Sequence, residues 1–141
     1  MADKTHENNN ILVDWWNSFR ALPGWVQIWV ALILAPVNMA SLFFIHEPMG
    51  LWVAFLANIA MLLNLPVLLV ERGFSKLMAF PHIIPWTILV IIILFYRPQA
   101  TGLYDTYLWV LLGVNIISLI FDYPDAIAWW KGERKVAGRA S

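Results

Sequence analysis

Residues 51–70 read LWVAFLANIAMLLNLPVLLV. The run carries no charged side chain. About 20 apolar residues, each rising ~1.5 Å along a helix, cover the ~30 Å hydrocarbon core of a bilayer. The stretch therefore predicts a membrane-spanning helix, and the chain repeats the pattern on either side of it. Residues 25–45 and 103–121 form further apolar runs of spanning length. Residues 77–96 have the length as well, but Pro81, His82 and Pro85 interrupt the first half, so the firmest part is 83–96. Turn-forming residues separate the runs: His46-Glu47-Pro48-Met49-Gly50, then Glu71-Arg72-Gly73, then Arg97-Pro98-Gln99 with Gly102.

Composition agrees. Of the 141 residues, 61% are hydrophobic and 13% charged. Soluble domains average about 45–50% apolar and about 25% charged. A small soluble domain has much surface to cover with polar groups, and this chain lacks them, so lipid is the solvent its surface suits. The formal net charge is zero, which leaves no basic stripe for a phosphate backbone and excludes nucleic acid as a natural partner. The absence of cysteine removes disulfides, thiolate metal sites and cysteine nucleophiles. No cofactor is expected.

The basic residues orient the spans. Lys4 and Arg20 precede the first span, Arg72 and Lys76 lie between the second and third, and Lys131, Arg134, Lys135 and Arg139 follow the fourth. Only Arg97 falls on the opposite side. Basic loops stay cytoplasmic, so the expected fold is an all-α, up-down four-transmembrane-helix bundle with both termini inside. A polar tail, Met1 to Asn10, lacks the apolar core of a secretion signal. With no Asn-x-Ser/Thr site, the pattern suits a bacterial inner membrane.

Both flanks look interfacial. Over 11–24, Ile11, Leu12, Trp15, Trp16, Phe19 and Leu22 recur at helical spacing, and Asp14, Asn17, Ser18 and Arg20 take the other positions. This predicts a short helix lying in the cytoplasmic headgroup layer. Over 122–141, Asp122 is placed to cap a second such helix, with Pro124 in its first turn and Trp129-Trp130 following, before a basic tail. The nine tryptophans suit the bilayer interface, where an apolar ring and a wet N–H are both satisfied.

Polar groups inside the bilayer are costly unless paired. Counting from the span ends, Asn38 and Asn58 share an outer level. Asn64 and Asn115 share an inner one, with Thr87 near it and Ser118 closer to the cytoplasm. Two interhelical amide layers are therefore expected, Asn38 with Asn58 and Asn64 with Asn115. They serve either as packing contacts or as the lining of a solute path. Pro36 and Pro66 deprive the carbonyls of Leu32 and Leu62 of their helical donors. Residues 88–95 are apolar on every face, which suggests that the third span packs on the outside or against another subunit.

Ionisable residues gather at the two ends of the spans. His46 and Glu47 are adjacent, and no second histidine three or four residues away completes a metal site. At the cytoplasmic ends, Glu71, Arg72, His82 and Asp122 come into range of one another. An Arg72–Asp122 ion pair is expected there. Glu71, His82 and Asp122 would also serve as an acid–base set at a lipid headgroup. Glu71-Arg72 departs from the Glu-Arg-x-x-x-Asn motif of the membrane-associated glutathione-metabolism family, because position 76 is Lys. No span contains the glutamate or arginine expected of small multidrug transporters or fluoride channels.

Three functions follow, in this order. The first is a non-catalytic membrane component that assembles as a homo-oligomer or within a larger membrane complex. The second is an oligomeric small-solute or ion channel lined by the intramembrane asparagines. The third is an interfacial enzyme acting on lipid or quinone. The lipid bilayer is the partner common to all three.

Overall fold

The computed structural model describes residues 10–96 and 99–138. Lys4, Arg97 and Arg139, which entered the charge count, lie outside them, as does nearly all of the polar tail. Among the described residues the fold is all-helical, with no strand. Four helices are long and apolar enough to cross a membrane: span one, Gly24–Phe44; span two, Gly50–Glu71; span three, Lys76–Phe95; and span four, Gly102–Trp130. They make the chain an integral membrane protein.

An N-terminal helix, Ile11–Ala21, comes first. The Asn10 side chain accepts the Leu12 amide at 3.1 Å and so satisfies one of the free donors at the helix start. Asp14 in the first turn and Arg20 in the last complement the helix dipole. The helix stops because Leu22 precedes Pro23 and is held extended.

Span one is irregular. After one α-helical turn, Trp29–Leu34 widens to π geometry, with the Ala35 N–H reaching back to the Val30 carbonyl. Pro36 opens the next short α segment, and Ala40–Phe44 then tightens to a 3-10 helix. A proline that can neither donate nor tolerate the carbonyl four residues earlier gives this wide turn a cause. Span two is interrupted at Leu63, between Gly50–Leu62 and Asn64–Glu71, just ahead of Pro66.

Span four corrects one expectation. It is a single helix of 29 residues, running through Asp122 and Pro124 to Trp130. No separate helix begins at Asp122. Pro124 costs only the hydrogen bond to the Ile120 carbonyl, and membrane helices tolerate that. The Asp122 carboxylate points at its neighbours and does not cap a helix start.

Span three corrects another. Trp86 and Leu89 are fully buried, within a cluster that includes Val53 and Ala57 of span two and Leu108 and Leu111 of span four. One face of span three thus fills the core, and Ile84, Ile88, Ile91, Leu94 and Phe95 look outward. Ala57 and Ala60 leave room for the Trp86 ring, and small residues are what permit close helix approach in lipid.

On one side of the spans, three segments meet in a clasp. Ser18 Oγ donates to the Ala137 carbonyl at 2.7 Å and accepts the Phe74 amide at 2.9 Å. The Ala137 amide donates to Phe74 O at 2.8 Å, and Ser75 bridges Val136. Arg72 Nε lies 2.6 Å from Asp14 Oδ2, and Trp15 Nε1 donates to Leu68 O at 2.9 Å. Gly73 is required at this crossing, since an added methyl would sit 2.6 Å from Ser18 Oγ and 2.7 Å from Val136 Cγ1. The N-terminal helix therefore turns Asp14 and Ser18 onto the protein and leaves Leu12, Val13 and Trp16 outside.

Candidate functional site: two polar clusters within the spans

The first cluster ties span one to span four. Asn38 Nδ2 donates to Asn115 Oδ1 at 2.9 Å, and Asn115 Nδ2 returns a bond to Asn38 Oδ1 at 3.1 Å. Both residues are at most 1% exposed. Asn38 Nδ2 also reaches Leu34 O at 2.9 Å, and Ser41 Oγ donates to Asn38 O at 2.6 Å. Asn58 donates to Ser41 Oγ at 2.9 Å and to Ala54 O within its own helix at 2.8 Å. Its link to Asn38 is only a long contact to the backbone carbonyl, 3.5 Å. Tyr107 closes the cluster on the side toward Phe44 by donating to Val37 O at 2.6 Å.

The expected outer level holds, with Asn58 beside Asn38 and Ser41, but the expected Asn64–Asn115 pair does not form. Asn115 meets Asn38 and not Asn64, while Asn58 binds Ser41. The reason is span four. The helix runs on past residue 121 to Trp130, so Asn115 lies at the level of Asn38.

The second cluster lies where spans two, three and four come together. Asn64 Nδ2 is 2.5 Å from His82 Nε2. His82 Nδ1 is 3.3 Å from Asp122 Oδ2, which also accepts Ser118 Oγ at 3.3 Å. Nε2 takes the amide contact, whereas Nδ1 is buried close to the carboxylate without making a hydrogen bond among the described residues. The ring stacks on Trp86 with centroids 4.2 Å apart, and Trp86 Nε1 is itself held by Ala57 O at 3.2 Å. Asn64 Oδ1 is buried without a hydrogen-bond partner among the described residues. Thr87 stands beside this cluster, with its hydroxyl 2.8 Å from that of Tyr123.

Of the expected acid–base set, His82 and Asp122 are brought together. Glu71 is elsewhere, accepting Ser75 Oγ at 3.4 Å. The expected Arg72–Asp122 ion pair is replaced by Arg72–Asp14. Arg72 sits in a left-handed turn (φ 53°) that aims it at the N-terminal helix, while Asp122 stays on a continuous helix facing span three. Among the described residues no three His, Asp or Glu side chains are grouped to hold a metal. Sequence reasoning missed Ser41 and Ser18 as hydrogen-bond hubs and Tyr107 as a backbone donor. Asp14 and Ser18 do stand four residues apart on one helix face, the available sign that they share a partner surface.

Comparison with protein-family models, curated proteins and solved structures finds no match to this chain. Function is argued from its own residues.

Proposed function

We propose that the protein is a non-catalytic component of a bacterial inner membrane, an up-down four-helix bundle with both termini in the cytoplasm, acting by association with itself or within a larger membrane complex. The observation that carries this is span one. Only 17% of its most apolar stretch is buried within the protein, against 44% for span four. Its polar residues are already spent inward, on Asn115, Ser41 and Asn58. What remains outside is a broad apolar face, with Leu32 69% and Phe43 88% exposed. Helix association in lipid works through such packing surfaces. The N-terminal helix, with Leu12 and Trp16 outward, fits the headgroup layer.

A photo-crosslinking amino acid at Leu32 or Phe43, activated in native membranes, tests this. A discrete product, either twice the chain mass or joined to one larger subunit, is the expected outcome. Lipid adducts alone contradict it. Because the chain has no cysteine, topology is tested separately with Lys135→Cys and Ala100→Cys. An impermeant thiol reagent added outside intact cells should label only position 100.

The His82–Asp122 pair supports a second reading, acid–base chemistry on a lipid or quinone at the membrane surface. Here the His82→Gln variant should abolish a change in the host's lipid or quinone pool that overproduction of the wild-type chain causes. An unchanged pool in both strains speaks against it. An amide-lined path gains least support, because the Asn38 and Asn115 side chains bond each other.

A further inference from the structure

We propose that a groove at the end of span four binds a phospholipid with a phosphoethanolamine headgroup. The groove is shallow and open, and is lined by Pro124, Ile127, Ala128, Lys131 and Glu133. The first four stand at i, i+3, i+4 and i+7, so they form one face of a helix. Pro124, Ile127 and Ala128 supply an apolar floor, and Lys131 stands at its mouth where the helix ends. The chain then turns back, with the Gly132 amide on Trp129 O and the Glu133 amide on Ala128 O, both at 3.0 Å. That turn sets Glu133 as the second polar wall.

The two charges are placed differently. The Lys131 ammonium is exposed and makes no ion pair with a described residue. Glu133 Oε1 receives Lys76 Nζ at 2.8 Å, which leaves its other oxygen open as an acceptor. Lys131 on one wall, and on the other the Glu133 carboxylate, which shares Lys76 with Asp125, stand around an apolar floor and complement a zwitterion. The lipid phosphate matches Lys131, the primary ammonium matches Glu133, and the first methylenes lie on Ile127 and Pro124. A purely anionic headgroup would meet the Glu133 carboxylate. A quaternary ammonium has no N–H to donate to it. Trp130, 73% exposed, sets this end of the helix at headgroup level. The proposal needs the membrane span and does not depend on how the protein associates.

The test is native mass spectrometry of the full chain in detergent, titrated with ethanolamine, choline and glycerol phospholipids of identical acyl chains. The ethanolamine lipid should be retained at about tenfold lower concentration than the choline lipid, the factor ~1.4 kcal/mol corresponds to. Glu133→Gln should bring the two level, and Lys131→Gln should weaken both alike. Lys76→Gln should keep the preference, which separates a role of Glu133 in lipid binding from its bond to Lys76. These side chains are exposed, and an unchanged unfolding temperature verifies that each variant folds. Equal retention of ethanolamine and choline lipids, tightest retention of the glycerol lipid, or a preference that survives Glu133→Gln would each overturn the proposal.

Discussion

Span one and span four hold each other through Asn38 and Asn115, yet they are built in opposite ways. Span four is an unbroken helix that supplies Leu108 and Leu111 to the centre of the core. Span one passes through α, π and 3-10 geometry within one crossing and buries little beyond Leu34, Asn38 and Ser41. In water, so thin a contact would leave the helix loose. In lipid the apolar surface has no reason to hide, and packing and hydrogen bonds decide where a helix sits. The difference teaches that polar residues fix span one in place, whereas close apolar packing fixes span four.

That contrast is open to attack from several directions. The largest effect is expected where span one turns into span two. A methyl on Gly50 would lie 1.9 Å from the Phe44 carbonyl oxygen, a backbone atom that cannot swing away. Gly50→Ala should therefore cost about 3 kcal/mol, read as a lower midpoint in detergent unfolding. Next comes the amide pair. Asn38→Leu strands the buried Asn115 amide and should cost about 2 kcal/mol. The double variant with Asn115→Leu should cost less than the sum of the singles, by ~1 kcal/mol. Strict additivity in that cycle would mean the two amides do not interact.

A smaller effect is expected in the clasp. Gly73→Ala should push Ser18 and Val136 apart at a cost of about 1 kcal/mol. The resulting sign is faster proteolysis near Pro23, with the spans still folded. The smallest is on span four. Gly113 has nothing within 4 Å of an added methyl. Gly113→Ala should be neutral or stabilising by ~0.5–1 kcal/mol, and a clear loss there would reveal a partner packed against that face.

The spans were legible in the sequence because hydrocarbon thickness sets both their length and their polarity. Span two was expected over 51–70 and lies at Gly50–Glu71. The end of span four was not legible. Asp122 and Pro124 carry the signature of a helix start in water, but Asp122 here serves His82. That mistaken end shifted the counted depth of Asn115 and misassigned its partner, which is Asn38 and not Asn64. Depth along a helix says nothing of which way a side chain faces, so Asn64 finding His82 needed three dimensions. The same holds for span three, whose even apolarity hid the buried stripe of Trp86, Leu89 and Ile93. Asp14 and Ser18, among the polar positions of the N-terminal helix, form the seam of the clasp.

The most direct measurement is the native mass of the protein, extracted gently from its host membrane with its lipids. A discrete assembly, either several copies of the 16.2 kDa chain or one copy within a larger complex, is the predicted result. A clean monomer at native abundance would contradict the account and turn attention to His82.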